Sequence, residues 1–248
     1  MNRALFLKLL LLFGSALLLS SCGDSPGNSP SSTTFTNASF KGNFVFSVSG
    51  TDQIDGDFAA AGSIQADGAG KITSGIEDVN FASGVDAGVV ISGIYRIDSD
   101  GRGTVTLNDP SGPIDFFDIQ LAKDGSAKIT NFDSTGAGGT LEKQETSAFT
   151  QTGAYSFTLS GEEDDTISAS GSFSADGNGN IASGMSNFNQ GSSSSTLALN
   201  GMMTPIFDNG RGELLLGSNK FSYYVVSSNR LILAGLEDSI LLHGEAKK

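Results

Sequence analysis

Residues 42–50 read GNFVFSVSG, and residues 153–161 read GAYSFTLSG. In the first stretch Phe44, Phe46 and Val48 occupy every second position, and the second stretch keeps the same alternation. Apolar residues at a period of two are typical of a β-strand that has one buried and one solvated face. The first stretch therefore predicts an antiparallel strand, and its return predicts that the fold is written twice.

The repetition continues in order along both halves of the chain. GSIQADG at 62–68 returns as GSFSADG at 171–177, and GRG at 101–103 returns at 210–212. Each copy is roughly 100 residues long, which is the size of a domain and exceeds the units of solenoid proteins. We therefore predict two tandem modules, with the boundaries 39–146 for module 1 and 147–248 for module 2.

Each module divides into about eight short segments separated by turn residues. Asp-Gly or Asn-Gly pairs, as at 67–68, 100–101 and 209–210, are hairpin signals. In module 1 the predicted strands are 43–49, 59–66, 70–80, 88–98, 103–108, 114–122, 126–132 and 139–144. In module 2 they are 154–160, 166–175, 179–188, 195–206, 211–217, 220–227, 230–236 and 240–246.

The short links predict an all-β, antiparallel meander in each module. Eight meandering strands with one apolar face can close into a small up-and-down barrel, lipocalin-like or avidin-like in shape, and closure removes the exposed edges. A pair of β-sandwiches is the alternative. Polar residues on the outer faces argue against one sixteen-stranded membrane barrel. The interior of an eight-stranded barrel is either filled by side chains or holds one small ligand.

The repeated pattern resembles the Gly-rich tandem repeats of uncharacterised lipoproteins from environmental bacteria. The matching elements are Gly-x-Phe/Tyr-x-Phe, then Gly-Ser-x-x-Ala-Asp-Gly, then Gly-Arg-Gly, and they extend over most of residues 40–247. The resemblance implies an architecture and no activity. Module 2 departs from module 1 at two places, with Ser186-Asn187 for Glu77-Asp78 and Met203-Thr204 for Tyr95-Arg96.

The first 21 residues read as an export signal. A basic start with Arg3 and Lys8 precedes a Leu-rich run that is too short to span a bilayer. The run ends in Leu19-Ser20-Ser21-Cys22, which resembles the lipobox of bacterial lipoproteins. The resemblance implies that Cys22, the only cysteine, becomes a lipid-modified N-terminus. Gly23 after this cysteine, where Asp favours the inner membrane, implies an outer-membrane anchor, with the periplasmic or the surface face left open.

Residues 22–38 form a Ser, Gly and Pro-rich tether between the anchor and module 1. Once the signal has gone, the side-chain charges sum to 12 − 27 = −15. This charge opposes binding to nucleic acid and electrostatic docking on anionic lipid, because both need Lys and Arg. We therefore expect contact with the membrane through the lipid alone and no nucleic-acid partner.

One loop has oxygen-bearing side chains at alternate positions, as a calcium loop does. These are Asp176, Asn178 and Asn180. The corresponding loop of module 1 has a cation, Lys71, at the third position, and an ordinary hairpin turn explains the same residues. The three residues are thus a weak metal candidate beside a turn interpretation, and we expect no cofactor.

Catalytic groups are few. The doublets Glu77-Asp78 and Glu237-Asp238 are carboxylate pairs, but adjacent residues on a strand point to opposite faces, so neither doublet forms a glycosidase pair by itself. The run 162–165 is acidic and suits a solvated loop. His243, the only histidine, has no nucleophile motif near it.

Two arginines recur at matched positions beside glycines. Arg102 and Arg211 each occupy the centre of a Gly-Arg-Gly motif. Turn rigidity or pairing with a nearby carboxylate suits them better than capture of an anion.

These observations predict a membrane-anchored cell-envelope lipoprotein that is not an enzyme and acts in binding or surface structure. The partner is left open between an envelope protein, a glycan and a small apolar ligand. A carrier of a small apolar ligand inside a barrel is the first alternative, and a carboxylate-based hydrolase is the second.

Overall fold

The chain forms two closed eight-stranded antiparallel barrels in tandem, each a simple meander. The computed structural model describes residues 34–52, 56–81, 83–132, 137–147, 151–204, 208–238 and 240–248. The predicted signal, Cys22 and most of the tether lie outside the described residues. The fold prediction is confirmed in class, strand number and closure, and the sandwich alternative is wrong.

Barrel 1 contains the first eight strands and closes by pairing of its first strand with both the second and the eighth. Its strands are β1 (Lys41–Asp52), β2 (Gly56–Asp67), β3 (Lys71–Phe81), β4 (Gly84–Ile97), β5 (Arg102–Asp109), β6 (Gly112–Leu121), β7 (Ala127–Phe132) and β8 (Gly138–Lys143).

Barrel 2 contains the other eight strands and closes between its first and last strands. Its strands are β9 (Thr152–Glu162), β10 (Thr166–Asp176), β11 (Asn180–Gln190), β12 (Ser193–Met203), β13 (Arg211–Leu216), β14 (Asn219–Ser227), β15 (Arg230–Gly235) and β16 (Leu241–Lys247). Closure gives the end strands the hydrogen-bond partners that a sandwich would leave unpaired at its edges.

Period-two alternation sorts the side chains of barrel 1 into an inner and an outer set. Phe44, Phe46 and Val48 are buried in the interior. Gly62 faces Phe46 across the ladder, and a Cβ added there would lie 2.4 Å from the Phe46 ring. The glycine therefore leaves room for a phenylalanine ring in the barrel core.

Aromatic rings fill a large part of that interior. The Phe117 ring centroid lies 5.4 Å from Phe46 and 5.1 Å from Phe132, and Phe58 lies 5.3 Å from Phe132. Ring pairs at such spacing contribute beyond the area they bury. A short 3₁₀ helix (Asn37–Ser39) leads into a buried Phe40. The Phe40 ring stacks on Phe44 with 4.2 Å between the centroids and belongs to the same core.

Barrel 2 repeats the plan with its own core. Tyr155 stacks on Phe173 at 5.3 Å, and Phe157 lies 6.2 Å from the same ring. Tyr223 and Phe221 are also buried in this cluster. The equivalent first strands of the two barrels, which the sequence repeat identified, thus deliver aromatic side chains to equivalent interiors.

Asp side chains stabilise the hairpin turns of both barrels. Asp67 Oδ1 accepts hydrogen bonds from the backbone N–H groups of Ala69 and Lys71 at 2.6 and 3.0 Å. These bonds lower the pKa of Asp67, with the bond from Lys71 contributing most. An Asp that accepts backbone hydrogen bonds two residues on is the usual Asx turn.

Both barrels belong to one compact unit, Thr33–Lys248. Among the residues that the structure describes, we find no helix of the length and apolarity needed to cross a bilayer.

Candidate functional site

The two barrels pack against each other through their outer faces. From barrel 1, Val45 and Ala61 are buried there. Barrel 2 contributes a larger apolar set to the same cluster, namely Tyr224, Val226, Ile232 and Ala234. Because buried apolar surface contributes favourably in proportion to its area, this cluster holds the barrels together.

A buried ion pair crosses this junction. Arg211 of β13 donates from Nε to Asp78 Oδ2 at 2.8 Å and from Nη2 to Asp78 Oδ1 at 2.6 Å. The two side chains are only 6 % and 1 % exposed. Tyr224 Oη donates to Asp78 Oδ2 at 2.5 Å, and the Gly88 N–H donates to Oδ1 at 2.7 Å. The Asp78 carboxylate thus accepts four hydrogen bonds, which offsets the cost of its burial.

The electrostatics of the junction follow from this arrangement. Burial opposes the charge on Arg211, but the hydrogen bonds from the guanidinium to Asp78 leave the pKa of Arg211 above its ordinary value. Burial is the main reason that the pKa of Tyr224 lies well above its ordinary value, and the negative Asp78 adds to it. Tyr224 is therefore a neutral hydrogen-bond donor throughout the physiological range.

Two buried amides add hydrogen bonds across the same boundary. Gln144, just after β8, donates from Nε2 to the carbonyl oxygens of Asn209 and Val225 at 3.1 and 2.9 Å. Asn80 of β3 donates from Nδ2 to the carbonyl oxygens of Gly235 and Ile240, both at 3.1 Å. These amides bind backbone groups of barrel 2 directly.

Charged pairs also lie at the margin of the junction. Arg230 of β15 forms ion pairs with Glu142 of barrel 1 and with Glu245 of barrel 2. On the exposed surface Asp57 and Glu162 share a hydrogen bond between their carboxyl groups. That bond raises the pKa of Glu162, while the pKa of Asp57 is lowered, chiefly by a hydrogen bond from Thr51.

A groove of about 470 Å³ opens beside the junction. Its lining is mostly uncharged and hydrogen-bonding, with side chains from both barrels: Asn43, Ser63, Gln65, Ser74, Gln144, Asp208 and Asn209. Ser63 is 3 % exposed, and its hydroxyl has no hydrogen-bond partner among the residues that the structure describes. This groove is the candidate binding site.

The residues that form the junction occur in only one of the two repeats at each matched position. The residue equivalent to Asp78 in barrel 2 is the exposed Asn187, and the equivalent of Ile76 is Met185, 51 % exposed. The equivalent of Arg211 in barrel 1 is Arg102, whose exposed side chain pairs with Asp100 at 3.1 Å. Each barrel therefore has the complementary residues only on the face that meets the other barrel.

The structure places the predicted carboxylate doublet on two sides of β3. Glu77 lies opposite Gly62 and shares its inward face, so it is buried inside barrel 1. Asp78 points outward into the junction. The prediction that adjacent residues diverge is confirmed. A second buried acid on the inner face of barrel 1, Asp115, which pairs with Leu107, was not singled out in the sequence.

The weak metal candidate forms a turn. Asp176 Oδ1 accepts hydrogen bonds from the N–H groups of Asn178 and Asn180 at 2.7 and 3.0 Å, and Oδ2 accepts one from Asn180 Nδ2 at 2.8 Å. These bonds, led by the Asn180 side chain, lower the pKa of Asp176. Within the described ranges, no group of three or more His, Cys, Asp or Glu side chains could hold a metal ion.

His243 lies on β16, opposite Ser160 of β9, with 3.4 Å between Nε2 and the Ser160 hydroxyl. Burial lowers the pKa of His243. The acidic pair Glu237-Asp238 follows β15. At the junction, the sequence did not single out Tyr224, Asn80 or Gln144. The one sequence difference that pointed to this region is Asn187 in module 2 where module 1 has Asp78.

Comparison with protein-family models and with curated proteins finds no match. Among solved structures, kievitone hydratase from Nectria haematococca is 8% identical, with a TM-score of 0.26 over 88% of this chain and 94% of that chain. An AttH-type protein from Nitrosomonas europaea is 8% identical, with a TM-score of 0.26 over 83% of this chain and 92% of that chain. CghA with Sch210972 is 10% identical, with a TM-score of 0.30 over 82% of this chain and 86% of that chain. Similarities this weak assign neither a family nor a function.

Proposed function

We propose that this chain is a non-catalytic cell-envelope lipoprotein, anchored in the outer membrane through Cys22, whose two barrels act as one binding body. The observation that carries the binding role is the junction groove, because side chains of both barrels line it and a buried ion pair holds those barrels together. A site built from both modules also accounts for the specific docking of the two copies.

The chemistry of the groove suits a neutral polar ligand such as a glycan segment. Amide and hydroxyl groups predominate in its lining, and Asp208 is the one carboxylate. The net charge of the chain repels anionic ligands. The unpartnered Ser63 hydroxyl offers a hydrogen bond that a ligand hydroxyl or a water molecule can satisfy.

The interior of barrel 1 supports this choice over a carrier of an apolar ligand. Phe117 contacts both Phe46 and Phe132 in the core, where a carried molecule would have to lie. The strongly paired charges support a non-catalytic role, because Asp78 and Arg211 use their hydrogen-bonding groups on each other and not on a substrate.

The binding role is tested by native mass spectrometry of the protein purified from its own membranes. We expect a bound neutral ligand on the wild-type chain. Ser74→Trp, which places a ring in the groove, should remove it, and Ser168→Trp, on an exposed strand position of barrel 2, should not. A wild-type chain without a ligand, or a ligand that survives Ser74→Trp, contradicts the proposal.

The anchor is tested separately by metabolic labelling with radioactive palmitate. Two or more acyl chains give stable membrane attachment, so the wild-type chain should carry label and sediment with membranes. Cys22→Ala should lose the label. Labelling that is unchanged by Cys22→Ala disproves the anchor and leaves the binding proposal standing.

A further inference from the structure

Strand β12 has a long edge without a partner. Its residues from Ser193 to Met202 pair with β11, but β13 pairs only with the last part of the strand, from Gly201 to Met203. Among the described residues, no strand is hydrogen-bonded to the other edge of 193–199. A row of backbone N–H and C=O groups is therefore available there, which is a template for another strand.

The protection that usually guards such an edge is missing. Residues 177–207 contain no Asp, Glu, Lys or Arg, although 17% of the chain is charged. The equivalent free edge of barrel 1, at the start of β4, carries the exposed Asp86. It also has a bulge at Gly88, where the register with β3 shifts. Charges and bulges are the features that block edge-to-edge pairing.

Apolar side chains flank this unprotected edge. Leu197 is 53% exposed on the free segment itself, and Met202, 59% exposed, lies just beyond it, where β12 pairs with β13. Met185 lies on the neighbouring strand and is also exposed. An added strand would satisfy the backbone groups of the edge, which is the source of affinity in strand addition, and would also cover Leu197.

We infer that β12 pairs antiparallel with β12 of a second copy of this chain, about a two-fold axis near Thr196. Without the export signal the side-chain charges sum to 12 − 27 = −15, so two copies repel each other over most of their surface. The uncharged hairpin is the region where they can approach with the least repulsion. A two-fold contact needs a self-complementary patch, and a neutral edge of Ser, Thr and Leu meets that requirement.

The same hairpin already serves as a contact element in barrel 1. There β3 docks on barrel 2 through Asp78 and Asn80. The corresponding β11–β12 hairpin of barrel 2 has exposed Asn187 and Asn189 at these positions. The β11–β12 hairpin of barrel 2 therefore lacks the residues that form the junction between the barrels. Its free edge is available for contact with another chain.

The test is analytical ultracentrifugation of residues 23–248, which contain the compact unit Thr33–Lys248 and lack both the export signal and the lipid-bearing Cys22, so that no detergent is needed. We expect a reversible monomer–dimer equilibrium in which the dimer fraction rises with protein concentration. Hydrogen exchange at high and low concentration should show slower exchange of the amides in 193–199 at high concentration. A chain that stays monomeric throughout, or a dimer with unchanged exchange in this segment, overturns the inference.

Variants locate the contact. Leu197→Lys adds a charge to the edge and should weaken dimerisation by about tenfold or more, as edge lysines do in natural sheets. Ala198→Lys, on the opposite face of the same strand, should act alike and covers the case in which the first variant folds poorly. The matched control is Ile94→Lys, because Ile94 is 60% exposed on a strand paired on both sides. Equal weakening by Ile94→Lys would show that the charge acts generally, and the inference would fail.

Discussion

Arg211 of the second barrel donates two hydrogen bonds, at 2.8 and 2.6 Å, to the two carboxylate oxygens of Asp78 in the first barrel. The partners are 133 residues apart in the chain, and water is almost excluded from both. A planar guanidinium matches a carboxylate in this bidentate geometry better than a lysine could. This ion pair joins the two repeats of the sequence.

The first prediction concerns the removal of one charge. Arg211→Met should lower the free energy of unfolding by about 3–5 kcal/mol, because it leaves the buried Asp78 carboxylate without its cation. Urea denaturation measures this loss. Asp78→Leu combined with Arg211→Met should recover most of the stability, since two apolar groups can replace a buried pair.

Arg102 supplies the control for that experiment. It is the repeat equivalent of Arg211, but its side chain is 78% exposed and pairs with Asp100 on the surface. Arg102→Met should change the stability by less than about 1 kcal/mol, as exposed pairs contribute little. Similar losses for the two arginines would show that the cross-barrel pair has no special energetic role.

The second prediction concerns the close approach of Gly62 to Phe46. A methyl group at Gly62 would lie 2.4 Å from the ring, so Gly62→Ala should destabilise the chain by about 1–3 kcal/mol through overpacking. Gly138→Ala is the matched control, because the nearest atom to its added Cβ is the Ile129 carbonyl oxygen at 3.4 Å. Thermal unfolding of both variants compares them, and equal melting temperatures would contradict the packing of barrel 1.

The third prediction concerns alkaline pH. Burial is the main reason that the pKa of each of the four tyrosines is raised. The pKa of Tyr155 is raised to about 12, and the pKa values of Tyr95, Tyr223 and Tyr224 also lie above the ordinary value. Because the folded-state pKa values exceed the unfolded value of about 10, this stability is complete below pH 10 and is lost as the pH rises through the folded-state values.

Tyrosinate absorbance during a pH titration measures this effect. In the native protein the absorbance should appear above pH 10, whereas in denaturant it should rise around pH 10. Tyr155→Phe should remove the contribution of one ring with little change near neutral pH. Native and denatured titration curves that coincide would be incompatible with the buried positions of these rings.

The fourth prediction concerns His243, whose pKa is lowered by burial. The unfolded chain, with an ordinary histidine pKa of about 6.5, binds the proton more tightly than the folded chain. Stability should therefore be complete above pH 6.5 and fall as the pH drops below it. His243→Gln should remove this part of the pH dependence.

As the only histidine in the chain, His243 gives one resolved imidazole signal in an NMR titration. We expect a midpoint below 6.5 for the folded protein. A midpoint at or above 6.5 would refute the proposed burial of this ring against Ser160.

Much of the fold could be predicted because it depends on short-range patterns. The alternation around Phe44 and the Asp-Gly turns predicted sixteen strands in two meanders, and the strands occur within a few residues of their predicted bounds except at the start of β4. The prediction placed β4 from residue 88, while it begins at Gly84. The bulge at Gly88 interrupts the period-two alternation, so the sequence pattern did not reveal the residues of β4 that precede Gly88.

The candidate site could be predicted only in part. The repeated Arg211 was expected to rigidify a turn or to find a carboxylate, and it pairs with Asp78. The sequence did not show that the carboxylate belongs to the other repeat. The residues next to Arg211 in the chain carry no information about contacts with residues that are distant in sequence. The groove beside Ser63 also depends on how two outer faces meet, which no local pattern encodes.

By itself the sequence determined the class of the chain, the number of its strands and the duplication of its modules, because side-chain alternation and turn chemistry act between residues that are close in the chain. Only the tertiary structure decided that each meander closes into a barrel and that one copy of each docking face is buried. Those choices rest on β1 pairing with β8, on β9 pairing with β16, and on the Asp78–Arg211 contact. Each depends on the three-dimensional approach of residues that are distant in sequence, where burial and complementary charge, and not local periodicity, select the partner.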